Sequence, residues 1–326
     1  MHQNAPTIYR QIQNANNILV VSHYDPDGDA LGSALAISLF LDKFQKNHTV
    51  FNKTVPAKYF DYLPRIEQII TPRPGSGQAE IPLNLELFDL IIALDCGDID
   101  RTGIVELLNA HDHYQLVNID HHISNNNYGH HNLVMPQSSS TSEIIYNFLQ
   151  YHSQEIDKDI ATCLLTGIIT DTMNFTNSGT TNDSLKIASE LLKKGARITQ
   201  VTDAIIRNKK INALKLWGQI FDRLQLNERY GIGYTVIRQQ DFSDFDIEED
   251  SLDGMANFLN SLNNVKAILI LQEKDNNVIK GSFRTTRDDV DVSKLAAMFG
   301  GGGHRKAAGF RINGRLVETA TGWQIQ

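Results

Sequence analysis

The distribution of apolar and polar positions divides the chain into alternating strand and helix signals. After a short helix over 7–15, Asn17-Ile18-Leu19-Val20-Val21-Ser22 forms an unbroken β-branched run. A run without alternation is the pattern of a strand covered on both faces, as in a parallel sheet. Ala30 to Phe44 reads as a helix with Leu31, Leu35 and Leu39 on one face. Its small residues Gly32, Ser33, Ala34 and Ala36 would let it lie close to a sheet. Strands are expected at His48–Asn52, Phe88–Asp95 and Gln115–Asp120, and a Pro/Gly-rich loop at 71–82. Ser140-Thr141-Ser142-Glu143 has capping-box spacing ahead of a helix over Ile144–Tyr151. Further helices fall at Asp159–Thr170 and 183–194, the latter closed by Gly195 as a C-cap.

From 196 to 222 the pattern stays helical and reads as a connector. Beyond it come strands near 231–237, 265–272 and 278–284 and a helix near 250–262. A last helix, Asp291–Phe299, runs into Gly300-Gly301-Gly302-Gly303-His304. The expected fold is α/β: a parallel-sheet domain over 1–195, the connector 196–222, and a smaller α/β domain over 223–326. There is no internal repeat.

Composition narrows the class. The chain has 326 residues, 41% hydrophobic and 21% charged, enough for two domains with their own cores. The net charge of −8 argues against a general binder of double-stranded nucleic acid. Residues 281–326 carry seven Lys/Arg against four Asp/Glu, so a locally basic tail of +3 follows a body of −11. An acidic body with a basic tail suits a carboxylate-held metal site working with an anion-binding lobe. Two cysteines, Cys96 and Cys163, make neither a disulfide framework nor a thiolate zinc site. The polar start, the absence of an apolar run of about 20 residues and the reducing setting imply a cytoplasmic protein with no membrane partner.

The chemistry gathers where strands stop. The first run ends in His23-Tyr24-Asp25-Pro26-Asp27-Gly28-Asp29, the second on Asp95, the third on Asp120-His121-His122. Three strands finishing on Asp or His fit one site at the carboxyl edge of a parallel sheet. The helix 159–170 adds Asp171. His23, Asp25, Asp27, Asp95, His121 and Asp171 supply four carboxylates and two imidazoles, enough for two cations with one shared carboxylate. Oxygen and nitrogen donors without sulfur favour Mn²⁺, with Mg²⁺, Co²⁺ or Fe²⁺ also compatible. Asp29 reads as the N-cap of the helix 30–44, and Arg101 as an ion pair with Asp98 or Asp100.

The string His-Tyr-Asp-Pro-Asp-Gly-Asp, then Asp95, Asp120-His121-His122 and Thr170-Asp171-Thr172, resembles the DHH phosphoesterase superfamily. The tail from Gly300 to Gly309 resembles its associated C-terminal substrate domain. Among subfamilies the chain is most similar to the short NrnA-type nanoRNase and pAp phosphatases. The resemblance implies one metal on His23, Asp25 and Asp95, and a second on Asp27, Asp95, His121 and Asp171. It makes His122 the group facing the scissile phosphate and Asp120 the carboxylate that orients a histidine. Ser282, Arg284, Gly301, Gly302, Gly303 and His304 become the substrate grip.

The implied activity is Mn²⁺-dependent hydrolysis of RNA of two to five nucleotides to 5′-monophosphates, with removal of the 3′-phosphate of pAp. A cleft closing over the substrate would explain the short length. The alternative is turnover of linear or cyclic dinucleotides such as pApA, pGpG or cyclic di-AMP. A third reading is an RNA-binding protein with structural metals only. The sequence leaves oligomeric state open, a homodimer included.

Overall fold

The computed structural model describes residues 4–72, 83–111, 113–205, 210–248, 252, 254–262, 264–319 and 322–326. Most of the expected loop at 71–82 therefore lies outside the described residues, as do 250, 251 and 253 of the helix expected near 250–262. The chain divides into two compact units, Met1–Asn208 and Lys209–Gln326.

In the first unit the chain order is α1 (Ala5–Asn14), β1 (Asn17–Ser22), α2 (Gly28–Lys43), β2 (Asn47–Phe51), β3 (Leu90–Leu94), α3 (Val105–Asn109), β4 (Gln115–Asp120) and β5 (His131–Val134). Four more helices follow: α4 (Thr141–Tyr151), α5 (Lys158–Asp171), α6 (Asn182–Lys193) and α7 (Ile198–Ile205). The five strands are parallel, in the order β2-β1-β3-β4-β5. The unbroken apolar runs have the cause expected, since both faces are covered. Ile18, Val20, Ile92 and Leu94 enter a core shared with α2, α4 and α5, while Leu19, Val21, Ile91 and Ala93 enter a second one with Phe51, Phe88, Ile104 and Leu108.

The chain leaves β1 toward β2 on one side and returns with β3 on the other. In open parallel sheets such a reversal of strand order leaves a crevice at the carboxyl ends of the two central strands, and ligands bind there.

α2 departs from expectation in two ways. It is buried along its whole length from Gly28 to Leu41, polar Asp29, Ser33 and Ser38 included, rather than on one face. One of its small residues also serves a neighbouring helix: a Cβ on Gly32 would stand 2.4 Å from the Cys163 carbonyl of α5. This close crossing brings the start of α2 beside the end of α5.

The stretch read as a connector holds two helices with different allegiances. Val201 of α7 belongs to the core of the first unit, whereas Leu216 and Ile220 of α8 (Ile211–Asp222) belong to a core of the second.

The second unit continues with β6 (Gln225–Asn227), β7 (Ile232–Ile237), α9 (Gln239–Phe245), α10 (Met255–Leu259), β8 (Ala267–Lys274), β9 (Val278–Arg284) and α11 (Val292–Ala297). It ends with β10 (Gly302–His304), β11 (Ala307–Asn313), β12 (Leu316–Thr319) and β13 (Gly322–Ile325). A mixed sheet runs β10-β11-β9-β8-β7-β6, with β7 and β8 parallel and the other pairs antiparallel. Helices α8 and α10 cover Ile268 and Ile270 on one face; α11 covers Phe283, Ala308 and Phe310 on the other. Strands β5, β6 and β10 to β13 and helices α3 and α9 have no counterpart in the expected elements. They are short, and glycine or polar residues interrupt their periodicity. Among the described residues no helix is long and apolar enough to cross a membrane.

Candidate metal centre

Four elements of the first unit end at one place. β1 runs into His23, β3 into Asp95, β4 closes on Asp120 before His121 and His122, and α5 closes on Asp171. Asp95 is the hub, 2% exposed and held at φ +58, a left-handed conformation that aspartate tolerates better than most residues. Its two oxygens face different partners. Oδ2 lies 3.6 Å from His23 Nε2; Oδ1 lies 3.5 Å from His121 Nε2 and accepts from Thr141 Oγ1 at 3.0 Å. His23 Nε2 is also 3.7 Å from Asp27 Oδ1, and His121 Nε2 is 3.1 Å from Asp171 Oδ2.

Ligand-type atoms fall into three overlapping groups within 4.8 Å: His23, Asp27 and Asp95; Asp95, Asp120, His121 and His122; and Asp29, His121 and Asp171. Five of the six expected metal ligands thus come together. Asp25 is exposed, at φ +53, with its amide donating to Thr54 Oγ1, and its carboxylate joins none of the three groups.

Asp29 is not the helix cap. Asp27 caps α2, its Oδ1 accepting from the amides of Asp29 and Ala30 at 3.0 Å each. Asp29 is fully buried and accepts from Thr141 N at 2.6 Å and Ser142 N at 2.9 Å, the first amides of α4. A carboxylate is favoured at such a helix start by the unpaired amides and the helix dipole. The capping box is half-formed. Ser140 Oγ accepts from Glu143 N, but the Glu143 carboxylate turns to Ser139 instead of the Ser140 amide.

Room for Asp29 depends on Gly167 of α5, where a Cβ would stand 2.0 Å from Ser142 Oγ and 2.4 Å from Asp29 Oδ1. Gly167→Ala is expected to lower stability by about 1–3 kcal/mol through overpacking and to weaken cation binding by shifting Asp29. Thermal unfolding with and without divalent cation reads both effects. A variant as stable and as responsive as the wild type would show that the contact is not tight.

Asp120 does not line the cation groups alone; it holds a histidine. Fully buried, it accepts from His122 Nδ1 at 2.7 Å, from the His121 amide at 2.8 Å and from Asn125 Nδ2 at 2.6 Å. Burial alone would raise its pKa, but these donors, His122 foremost, keep it below the usual carboxylate range. His122 gains the counterpart: its bond to Asp120 raises its pKa against the opposing effect of burial. Its Nδ1 is thereby committed, which leaves Nε2 of a ring 37% exposed to meet a substrate. Behind Asp120 stands a ladder of amides. Asn118 Nδ2 donates to Asn125 Oδ1 and Asn132 Oδ1, both at 2.9 Å.

Arg101 pairs with neither Asp98 nor Asp100. Asp98 caps the turn at Ile99–Thr102 through its bond from Asp100 N, and Arg101 stands over the Tyr24 ring with Nη2 3.3 Å from His23 Nδ1. That His23 nitrogen is 2.8 Å from the Tyr24 carbonyl and donates to it, so Nε2 is the ring atom turned to Asp27 and Asp95.

The charge balance of the cluster asks for cations. Asp29 and Asp171 are pushed well above the usual carboxylate range, first by burial, then Asp29 by Asp95 and Asp27, and Asp171 by Asp29, Asp95 and Asp27. Burial would lower the pKa of His23, yet Asp27 and Asp95 raise it to about 10. These are the shifts of carboxylates crowded together and neutralised by borrowed protons. An all-oxygen-and-nitrogen donor set of this kind fits hard or borderline divalent ions.

A cation bound at His23 Nε2 must displace the proton held there. Cation affinity is therefore expected to rise with pH across neutrality, with about one proton released from His23 at pH 7 and any borrowed by Asp171 in addition. Calorimetry in buffers of different ionisation enthalpy measures the proton count, and zero release would contradict the assignment of His23. In the cation-free protein the sign is opposite. The raised pKa of His23 stabilises the fold fully below about 6.5, and that contribution fades as pH climbs through about 10.

In the second unit Ser282 and Arg284 lie two apart on β9 and share a face. Arg284 is partly buried, which lowers its pKa from the ordinary value, and among the described residues no carboxylate pairs with it. Its Nη1 donates only to the Phe283 carbonyl, at 3.0 Å. The glycines divide by role. A Cβ on Gly301 would meet the Gly309 carbonyl at 2.2 Å, and Gly303 sits at φ +139; a Cβ on Gly302 would meet nothing within 4 Å. His304 ends β10, and its side chain lies outside what the structure describes.

The profile described as "DHH family, N-terminal domain" matches residues 17–168, and the DHHA1 domain matches 231–321. The bifunctional oligoribonuclease and PAP phosphatase NrnA of Thermus thermophilus is 29% identical over 305 residues, covering 93% of this chain and 86% of that protein. The protein of the same name from Bacillus subtilis is 24% identical, covering 94% and 92%. Among solved structures, an exopolyphosphatase-related protein from Bacteroides fragilis superposes with a TM-score of 0.85 at 25% identity, covering 96% of this chain and 92% of that one.

Proposed function

The chain belongs to the DHH family of phosphoesterases, with a DHHA1 domain behind its catalytic one, and from that premise we propose that it hydrolyses RNA of two to five nucleotides to 5′-monophosphates and removes the 3′-phosphate of pAp. Two relatives that align over 86% and 92% of their length are named as bifunctional oligoribonucleases and PAP phosphatases. The single observation that carries the reading is the pair of Asp95 oxygens, each turned to a different histidine and carboxylate group. One carboxylate serving two neighbouring positions is what a two-cation phosphoesterase requires.

In this reading two Mn²⁺ ions are held by His23, Asp25, Asp27, Asp95, His121 and Asp171. When bound, they supply Lewis-acid polarisation of the phosphate and activation of the attacking water. Asp25 would have to turn inward to take part. Asp29 anchors α4 to α2 and keeps Asp171 and His121 in register. His122, its Nδ1 bound to Asp120, delivers a proton from Nε2 to the departing oxygen. Arg284, without a carboxylate of its own, grips a non-scissile phosphate with Ser282 and the glycines 301–303, and His304 adds to that grip.

The test is a length series with Mn²⁺: labelled RNA of two, three, five and 24 nucleotides, together with pAp, pGpG, pApA and cyclic di-AMP. Dimers and pAp are expected to turn over fastest, and the 24-mer at least about tenfold more slowly, a difference of about 1.4 kcal/mol in barrier. A 24-mer cut as fast as a dimer would remove the short-substrate reading. Faster turnover of pGpG or cyclic di-AMP than of the RNA dimer would replace it with second-messenger hydrolysis.

A further inference from the structure

Beside the cation cluster, the loops that leave β1, β2 and β3 are laced together at the carboxyl edge of the first sheet. Asn52, just past β2, donates from Nδ2 to the His23 carbonyl at 2.8 Å and to Ser22 Oγ at 3.0 Å, and its Oδ1 accepts from Thr54 N at 2.9 Å. Thr54 Oγ1 in turn accepts from the Asp25 amide at 3.1 Å. From the β3 side the Arg101 carbonyl accepts from Tyr24 N at 2.8 Å. Gly103, at φ +69, lies under the stem of Lys53: a Cβ there would stand 2.4 Å from Lys53 Cδ. These bonds and contacts fix where Tyr24, Lys53 and Arg101 emerge.

The three side chains are left with unused chemistry. Tyr24 is 40% exposed, and the Arg101 guanidinium stands over its ring with Cζ 5.6 Å from the centroid. Lys53 and Arg101 are exposed, and among the described residues no carboxylate pairs with either, although Asp25, Asp98 and Asp100 are near in sequence. The polar group beside the guanidinium is His23 Nδ1, 3.3 Å from Nη2, and that nitrogen already donates to the Tyr24 carbonyl. Two donors facing each other make no hydrogen bond, so the guanidinium's demand for an acceptor is unmet. Unpaired cations around an exposed aromatic ring, in a chain of net charge −8, are the parts of a single-strand nucleic-acid site. In such a site the charges take phosphate and the ring takes a base.

Position decides which nucleotide is met. The guanidinium stands on the Nδ1 side of His23, whereas Asp27 and Asp95 face Nε2. One imidazole ring therefore separates this rim from the cation cluster. A group so placed addresses the neighbour of the phosphate under attack, not that phosphate itself.

We infer that Tyr24, Lys53 and Arg101 form a nucleotide subsite of the catalytic unit, filled by the RNA residue next to the scissile phosphate. Its base lies on the Tyr24 ring, and its phosphate meets Arg101 and Lys53. The inference rests on the hydrolysis proposed above. A trinucleotide fills this subsite; pAp, with one nucleoside and its 5′-phosphate on Arg284, leaves it empty.

The experiment compares kcat/KM for a 5′-phosphorylated RNA trinucleotide and for pAp, with Mn²⁺, in the wild type, Tyr24→Leu, Tyr24→Phe, Arg101→Ala, Lys53→Ala and Lys186→Ala. The altered side chains are exposed, so the variants are expected to fold. The trinucleotide-to-pAp ratio should fall about tenfold in Tyr24→Leu and in Arg101→Ala, mostly through KM, and Tyr24→Phe should restore it because the ring is kept. The dependence of log(kcat/KM) on log[salt] for the trinucleotide should flatten by about 0.7 in Arg101→Ala and in Lys53→Ala, one single-strand phosphate contact each, and stay as in the wild type in Tyr24→Leu. Lys186, paired with Asp183 on α6, is the control, and its variant should keep the wild-type ratio and slope. A wild-type ratio in Tyr24→Leu or Arg101→Ala overturns the subsite. So does an equal fall for both substrates through kcat, which would make Arg101 a support for His23 alone. If the wild type itself turns over neither substrate, the hydrolysis reading falls and the subsite with it.

Discussion

Asp95→Asn is expected to reduce hydrolysis by on the order of 10³-fold or more. The substitution keeps the size of the side chain and leaves one oxygen to accept from Thr141 Oγ1. What it removes is the second anionic oxygen, and with it the link between the His23 side and the His121 side of the cluster. The stability of the cation-free protein should move the other way. Asp95 is one of the charges that push Asp29 and Asp171 upward, so neutralising it relieves repulsion inside a buried cluster. The melting temperature without cation should be unchanged or higher, and the rise produced by Mn²⁺ should largely disappear. Loss of activity with an undiminished Mn²⁺-induced rise would place the cations elsewhere.

The second large effect is expected at Asp120. Asp120→Asn keeps one oxygen, enough for the His121 amide and His122 that share Oδ1, but removes the charge that stabilises the His122 imidazolium. A fall in kcat of about 10²-fold or more is expected, as for the loss of a positioned general acid. Cation stoichiometry and KM should change little. Because Asp120 raises the pKa of His122, and the proton donor acts in its protonated form, the alkaline limb of the kcat profile should move to lower pH. His122→Asn should reproduce the drop in kcat and abolish that limb. If Asp120→Asn instead lost bound cation in proportion to its activity, Asp120 would be a cation ligand rather than the residue that positions His122.

Much of this centre could be read along the chain because parallel strands buried on both faces leave long apolar runs, and their ends are then visible. β1, β3 and β4 stop where Ile, Val and Leu give way to His23, Asp95 and Asp120. What the sequence hides is set by contacts between distant segments. Asp29 and Thr141 are 112 positions apart, and only the crossing of α2 with α5 and the start of α4 shows that Asp29 anchors a helix instead of capping one. Asp25 and Asp27 look equivalent in the motif, but the turn at φ +53 sends one outward while the other caps α2.

A signal did exist for the amide ladder. Asn118 interrupts Leu116-Val117-Asn118-Ile119, and a polar side chain inside such a run must find partners once buried. In the second unit β10 carries little apolar signal: Gly303 is placed by close backbone packing and Gly302 by register alone. The division of 196–222 between two units followed from which core each helix joined, which periodicity alone does not reveal.

The arrangement around Asp95 is most directly tested by anomalous scattering at the manganese edge from crystals grown with Mn²⁺. Two peaks are expected beside Asp95, one on the His23 side and one on the His121 side. A single peak away from Asp95, or none among these residues, would contradict a two-cation centre and the hydrolase chemistry built on it.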